Sequence, residues 1–102
     1  MKVITTSSPF GSCTRTRGLL ALRLLAETYA RELARLLESS LSGVQKALQS
    51  LERDGLVAGR AAGRTRLYRL NPRAPARQEL ERYLERLLES EAGLRARAAD
   101  LR

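Results

Sequence analysis

Residues 39 to 70, SSLSGVQKALQSLERDGLVAGRAAGRTRLYRL, hold the patterns that decide the fold. In the first half, the apolar positions recur at helical spacing and fall within one stripe about 100° wide. These positions are Val44, Ala47, Leu48 and Leu51. In the second half, from Leu56 onward, short apolar runs are separated by glycine and arginine, which is typical of two strands joined by a loop. The stretch therefore predicts an amphipathic helix followed directly by a β-hairpin.

The predicted helix, Leu41 to Asp54, has clear start and stop signals. Ser40 is a good N-cap because its hydroxyl can accept a hydrogen bond from one of the free amides of the first turn. Gly55 supplies the left-handed residue that commonly ends a helix. The outward face carries polar and basic side chains with no carboxylate at its centre: Ser42, Lys46, Gln49 and Arg53, with Gln45 at the margin.

The predicted hairpin, Leu56 to Leu70, concentrates arginine around its glycine-containing loop, at Arg60, Arg64 and Arg66. Charged side chains on a hairpin also protect a strand edge from pairing with other chains, so this cluster alone does not define a site. Tyr68 is expected to pack in the core or at the base of the hairpin.

Two further helices are predicted before this stretch. The first, residues 13 to 26, follows the N-cap Ser12, and its leucines point in nearly every direction, so it must be buried all round. We expect one face of this helix to meet the core and another to meet a second subunit. The second helix, Ala30 to Glu38, follows a connector at Glu27 to Tyr29 that can hold one β-bridge. Only a few residues separate it from Ser40, which is the turn length of a helix-turn-helix.

The C-terminal segment, about residues 75 to 99, predicts one long helix. Its apolar residues alternate at spacings of four and three, a heptad seam with one acidic interruption at Glu91, and residues 93 to 102 are expected to fray. This seam and the first helix are two apolar surfaces larger than one core needs, and they predict a homodimer. The predicted interface consists of Leu20, Leu24, Leu80, Leu84, Leu87 and Leu94.

The composition favours a polyanionic partner. The 102 residues carry 19 Lys plus Arg against 11 Asp plus Glu, a formal net charge of +8. Residues 13 to 70 hold eleven of the basic and five of the acidic side chains, so the excess lies in and around the predicted helices and hairpin. Arginine in particular suits phosphates and guanine edges through its forked donors.

The residue types that are scarce exclude several classes of protein. A single cysteine, Cys13, cannot form an internal disulfide, and without histidine a Cys/His metal site and His-based acid or base catalysis are excluded. We therefore expect no enzyme activity, no cofactor and no metal. The start MKVITTSSPF lacks an apolar secretory core, and no apolar run reaches the roughly 18 residues of a membrane span. We expect a cytoplasmic protein without membrane association.

The order of these elements is more informative than any one of them. Four segments resemble the ArsR-like and MarR-like winged-helix transcription regulators: Glu32-Leu33-Ala34, Ser39 to Val44, LERDGLV at 51 to 57 and GRTRLYRL at 63 to 70. The resemblance covers roughly residues 12 to 72. It implies a homodimer on pseudo-palindromic double-stranded DNA, with the third helix in the major groove and the hairpin, or wing, beside or in the minor groove. The metal-sensing cysteine and histidine positions of the metalloregulatory branch and a ligand-binding domain are absent, so no effector is implied.

Together these observations predict a mainly α fold of α+β type, a winged helix-turn-helix with a two-stranded wing and a long C-terminal helix. The predicted divisions are a tail at 1 to 12 that docks through Phe10, a DNA-binding domain at 13 to 72 and a dimerisation helix at 73 to 102. The predicted function is sequence-specific regulation of transcription. The residues expected to contact DNA are Ser40, Ser42, Gln45, Lys46, Gln49, Arg53, Arg60, Arg64 and Arg66.

A second hypothesis is a winged-helix protein-interaction module, such as the partner or antitoxin of a neighbouring enzyme, because a fold does not fix a function. Such a module would bind DNA only weakly and without sequence preference. The affinity for DNA at moderate salt distinguishes the two hypotheses.

Overall fold

Residues 10 to 101, the part of the chain described by a computed structural model, form five helices and a three-stranded sheet. The elements are α1 (Cys13–Leu25), β1 (Glu27–Tyr29), α2 (Ala30–Leu37), α3 (Leu41–Arg53), β2 (Val57–Ala62), β3 (Thr65–Leu70), α4 (Arg77–Leu88) and α5 (Ala92–Leu101). The side chain at position 92, residue 102 and all but the last three residues of the predicted N-terminal tail lie outside the described residues. The predicted winged helix-turn-helix architecture is confirmed.

Helix α1 lies at the centre of the core. Its leucine-rich sequence leaves no polar face, and Leu19, Leu20 and Leu22 are at most 1% exposed. The helix contacts the other four helices and strands β1 and β3, so most of its circumference is buried, as its composition predicts, while Arg23 and Leu24 stay partly exposed. Its start is the predicted one, because the Ser12 hydroxyl accepts a hydrogen bond from the Arg15 amide at 3.1 Å.

Helices α2 and α3 form the helix-turn-helix. The chain leaves α2 at Glu38, whose left-handed backbone (φ 54°) redirects it, and Ser40 then caps α3 by accepting from the Gly43 amide at 3.1 Å. The Arg17 guanidinium donates to the Leu37 carbonyl at 2.6 Å and so satisfies a free carbonyl at the end of α2. The inward face of α3 packs against α1 and α2 through the residues predicted for it, which are Val44, Ala47, Leu48 and Leu51.

The sheet has the strand order β1-β3-β2, and both pairings are antiparallel. β1 is the bridge predicted at Glu27 to Tyr29, and its pairing makes β3 the central strand. Tyr68 packs into the core, as predicted, and is 6% exposed. The Asn71 side chain donates to the Gly55 carbonyl at 2.9 Å. This bond joins the end of β3 to the end of α3, so the base of the wing (β2, β3 and their turn) is fixed to that helix.

The C-terminal segment is not the single long helix that the sequence predicts. It forms α4 and α5, which are separated at residues 89 to 91 and both pack against α1. Glu91, the acidic interruption of the heptad pattern, is buried at this break. Residues 93 to 101 are helical, where fraying was expected. Between residues 10 and 101, no helix is both long enough and apolar enough to cross a membrane.

Half of the predicted dimer interface is used inside the protomer. Leu20, Leu84 and Leu94 are fully buried in the protomer's own core, so their assignment to an intersubunit surface is wrong. The heptad spacing correctly indicates residues that must be buried, but they are buried against α1 of the same chain and not against a second subunit. The other three predicted residues are partly buried at the margin of the same core: Leu24, Leu80 and Leu87.

Gly18, in the middle of α1, offers a test of this packing. A Cβ at this position would lie 3.9 Å from Leu51 and 4.0 Å from Leu33, which are ordinary contact distances. Because glycine costs a helix interior about 0.5 to 1 kcal/mol relative to alanine, we expect Gly18→Ala to raise the free energy of unfolding by about that amount in urea denaturation. Gly55→Ala is the control: its surroundings are open but its φ is +82°, so we expect a loss of stability. A destabilised Gly18→Ala would contradict the described fit of α1 against α2 and α3.

Candidate nucleic-acid interface

The outward face of α3 is exposed along its whole length. The side chains predicted for it all lie in solvent, on the side opposite the buried stripe: Ser42, Gln45, Lys46, Gln49 and Arg53. Ser40, also expected to contact DNA, uses its oxygen as acceptor for the Gly43 amide, and its hydroxyl proton stays free to donate. The face therefore offers amide, hydroxyl and cationic groups without an acid among them.

A groove of about 300 Å³ lies between α3, the wing and the start of α2. It brings together four residues that the sequence predicts as a site, which are Gln45, Gln49, Arg64 and Arg66. Residues that the sequence analysis did not single out complete its walls, among them Tyr29, Arg31 and Thr65. The candidate surface is thus a helix face that continues into a groove, where the sequence indicated two separate patches.

Arg31 is the main residue that sequence reasoning missed. It lies in the first turn of α2, where the partial positive charge of the helix N-terminus disfavours a cation. It is exposed and has no carboxylate partner among the described residues. Arg31 joins the groove only because the start of α2 folds beside the wing, so the sequence carries no strong signal for it.

Arg60 lies outside the groove, although the sequence groups it with the other wing arginines. Its register partner on β3 is Leu67, so it shares the sheet face of Leu67 and points away from the face of Arg66 and Tyr68. Its guanidinium reaches across β3 to Glu27, with two contacts of 3.2 Å. Arg60 therefore ties β2 to β1 on the far side of the wing.

Arg66 is held on three sides. Its Nη2 donates to the Glu52 carboxylate at 2.6 Å and to the Gly59 carbonyl at 3.3 Å, and its guanidinium lies 5.8 Å from the centre of the Tyr68 ring. The hydrogen bond and the charge of Glu52 raise the pKa of Arg66 above its ordinary value, which shows that this contact stabilises the charged guanidinium. The side chain links the wing to the flank of α3.

Arg15, from α1, holds the other flank of α3. Its Nη2 lies 2.7 Å from the Asp54 carboxylate, and the same guanidinium donates to the Ser50 hydroxyl and to the Phe10 carbonyl. The Phe10 ring in turn contacts Tyr83 of α4, with centroids 5.9 Å apart. Phe10 therefore packs against α4, so it docks as the sequence predicts. Arg15 connects the Phe10 backbone to the end of α3.

These contacts leave the site with unbalanced positive charge. The two carboxylates near the end of α3, Glu52 and Asp54, are each bound by an arginine from another element. Around α3 and the groove, the basic side chains without a carboxylate partner among residues 10 to 101 are Arg31, Lys46, Arg53 and Arg64. On α4 and α5, by contrast, several arginines pair with glutamates. The surface around α3 suits an anionic partner.

The described residues hold no group of three or more Cys, Asp or Glu side chains placed to bind a metal ion. Cys13 is an exposed free thiol at the start of α1.

The helix-turn-helix, the paired wing and the exposed face of α3 define a winged helix-turn-helix protein. HlyU from Vibrio cholerae N16961, in its reduced form, is 32% identical over 74% of each chain, with a TM-score of 0.58. The chain belongs to the ArsR/MarR-type winged-helix transcriptional regulators.

Two further solved structures are similar in fold. A ZitR mutant from Lactococcus lactis in complex with DNA is 24% identical, covering 92% of this chain and 68% of that one, with a TM-score of 0.60. The adhesin competence repressor AdcR from Streptococcus pyogenes is 24% identical, covering 81% of this chain and 63% of that one, with a TM-score of 0.61. The chain spans 65% of the apo ZitR mutant chain. No protein-family model and no curated protein matches the sequence.

Arg15 allows a test of how α3 is held. We expect Arg15→Met, which keeps the length of the side chain, to lower the free energy of unfolding by about 1 to 2 kcal/mol, because it removes charged hydrogen bonds from a largely buried group. Arg53→Met is the matched control at the same end of α3, where the side chain is exposed and unpaired, and should change stability by less than about 0.5 kcal/mol. Equal free energies of unfolding for the two variants in urea denaturation would contradict the role of Arg15 in holding α3.

Proposed function

We propose that this protein is a homodimeric regulator of transcription that binds specific sequences in double-stranded DNA, with α3 in the major groove and the wing on the backbone or in the minor groove. The observation that carries the proposal is the outward face of α3, which is exposed, lacks carboxylates and is flanked by unpaired cations. An α-helix fits the major groove, where base edges can be read. One solved neighbour, the ZitR mutant, is a complex with DNA, which supports the same kind of partner.

The side chains of α3 suggest a division of roles. Gln45 and Gln49 present paired donor and acceptor groups that suit adenine, and both line the groove beside the wing. Lys46 and Arg53 suit guanine or phosphate. Ser42, near the start of the helix, suits a phosphate, as does the free hydroxyl proton of Ser40. Arg31 of α2 and Arg64 of the wing both line the groove, and both suit phosphates of the DNA backbone.

The major-groove assignment is tested with the pair Lys46 and Gln49. An operator is first obtained by selecting bound sites from a random DNA pool. We expect Lys46→Ala with Gln49→Ala to abolish specific binding in a mobility-shift assay, since each lost base contact is worth about 1 to 3 kcal/mol. Gln78→Ala, an exposed glutamine of α4, is the control. Unchanged operator binding by the double variant would refute the role of α3. Failure to select any sequence would favour the protein-interaction module.

The wing is tested with Arg64, at the turn between β2 and β3. We expect Arg64→Ala to weaken binding to all DNA and to reduce the slope of log affinity against log salt by about 0.9, the value for one lost phosphate contact. Arg60→Ala is the matched control, because Arg60 lies on the far face of the wing and is paired with Glu27; we expect a smaller change in slope. Equal slopes for Arg64→Ala and the unmutated protein would remove the wing tip from the interface.

The dimer is proposed on the side of α1 and α5. A shallow groove of about 270 Å³ opens there beside the partly buried Leu24, and it is also lined by Leu25, Arg95, Ala98 and Ala99. Two copies paired on this side would offer two α3 helices to half-sites, which a dimer reads at centres about 34 to 36 Å apart.

We expect the unmutated protein to be a dimer at micromolar concentration in light scattering, and Ala99→Arg to shift it to monomer. An added cation next to Arg95 brings like charges together where two copies would meet, which costs more than a small interface provides. Ala96→Arg is the matched control, since Ala96 is an exposed alanine of α5 outside the groove. A monomeric unmutated protein would end the dimer proposal, and a dimeric Ala99→Arg would place the interface elsewhere.

A further inference from the structure

Arg66 and Arg64 look equivalent in the sequence, but the structure gives them different surroundings. Arg64 has no ion-pair partner among the described residues, whereas Arg66 has three anchors: the Glu52 carboxylate, the Gly59 carbonyl and the Tyr68 ring. The Glu52 contact, at 2.6 Å, crosses from β3 to α3. Both hydrogen bonds use the same atom, Nη2, and the Tyr68 ring lies beside the guanidinium, so this end of the side chain is fixed to the protein although the side chain is 47% exposed.

Gly59 provides the space for this arrangement. A Cβ at this position would lie 2.7 Å from Arg66 Nε and 3.0 Å from its Cζ, distances that force the guanidinium to move. Gly59 is a strand residue with a φ that any residue can adopt, so its backbone conformation does not require glycine. The close approach of the Arg66 side chain does require it.

Glu52 carries a negative charge on the flank of α3 that faces the wing. In a helix that binds DNA, an unpaired carboxylate at this position would repel phosphates and weaken binding. Pairing with Arg66 neutralises that charge and connects two elements that meet the DNA from different grooves in the proposed function.

We infer that Glu52 and Gly59 hold Arg66 as a strut between the wing and α3, and that Arg66 positions the wing without contacting DNA itself. The inference rests on the proposed function. The strut makes the helix and the wing bind as one unit, because the angle between them is set before DNA arrives. Preorganisation of this kind raises affinity by lowering the cost of ordering the surface on binding.

The variant Glu52→Gln separates a strut from a DNA contact by the sign of its effect. If Arg66 contacted DNA, removing a nearby negative charge and releasing the guanidinium would tighten binding. If Arg66 is a strut, Glu52→Gln loosens the wing, and we expect operator affinity to fall by about three- to tenfold. Glu79→Gln, at an exposed glutamate of α4, removes the same charge away from the site and should leave operator affinity nearly unchanged. Tighter binding by Glu52→Gln would overturn the inference.

Two further variants give readouts that a general loss of stability would not produce. Arg66→Gln should weaken specific binding while keeping the salt slope of the unmutated protein, and combining it with Glu52→Gln should add no further loss. Gly59→Ala should displace Arg66 and reproduce the loss of Glu52→Gln without any change in charge. A salt slope reduced by about 0.9 in Arg66→Gln, or full affinity in Gly59→Ala, would overturn the strut.

A measurement without DNA keeps this test separate from the proposed function. Amide hydrogen exchange of residues 57 to 70 in the free protein reports how firmly the wing is held. We expect these amides to exchange several-fold faster in Glu52→Gln than in the unmutated protein or in Glu79→Gln. Unchanged exchange would overturn the strut even if the protein binds its operator. Faster exchange in a protein that binds no DNA would support the strut and refute the proposed function.

Discussion

The burial of the leucines of α1 is the constraint on which the rest of the structure depends. A helix with leucine around its whole circumference is unstable until each face is covered, and a short chain has few elements with which to cover it. The two C-terminal helices cover one side, the helix-turn-helix covers another, and β1 and β3 cover part of the remainder, with Leu24 left partly exposed. Because α3 packs on α1 with its apolar stripe, its polar face is directed outward with no freedom to rotate. The exposed surface is therefore a consequence of the core.

The local elements could be predicted from the sequence because their signals are local. Ser12 and Ser40 cap helices where serines were expected to do so, Gly55 ends α3, and Tyr68 packs inward. The packing of the C-terminal segment was harder to predict. A spacing of four and three indicates that a helix has an apolar face, but it does not indicate which element covers that face. That ambiguity placed Leu84 and Leu94 at a subunit interface when α1 already buries them.

The sequence could not show which charged side chains of the candidate site are paired with a carboxylate and which are not. The carboxylate partners of Arg60, Arg66 and Arg15 lie between 14 and 39 residues away, and only the register of the sheet and the packing of the helices bring them together. Counting arginines in the wing therefore overstated the charge available to a partner. The groove formed with Arg31 was missed for the same reason, since it joins three elements that are separate in the sequence.

The strand order β1-β3-β2 has a consequence for how such a protein can change over evolution. A two-stranded ribbon alone is marginally stable in water, but here the central strand is paired along both of its edges and Asn71 secures its end. At the tip of the wing, Gly63 has open space around the position of an added Cβ, and Gly63 and Arg64 are both exposed. We expect insertions or deletions at this tip to alter the reach of the wing and to leave the core intact. If the proposed function holds, length variation at one turn offers related chains a route to new DNA preferences that is separate from substitutions on α3.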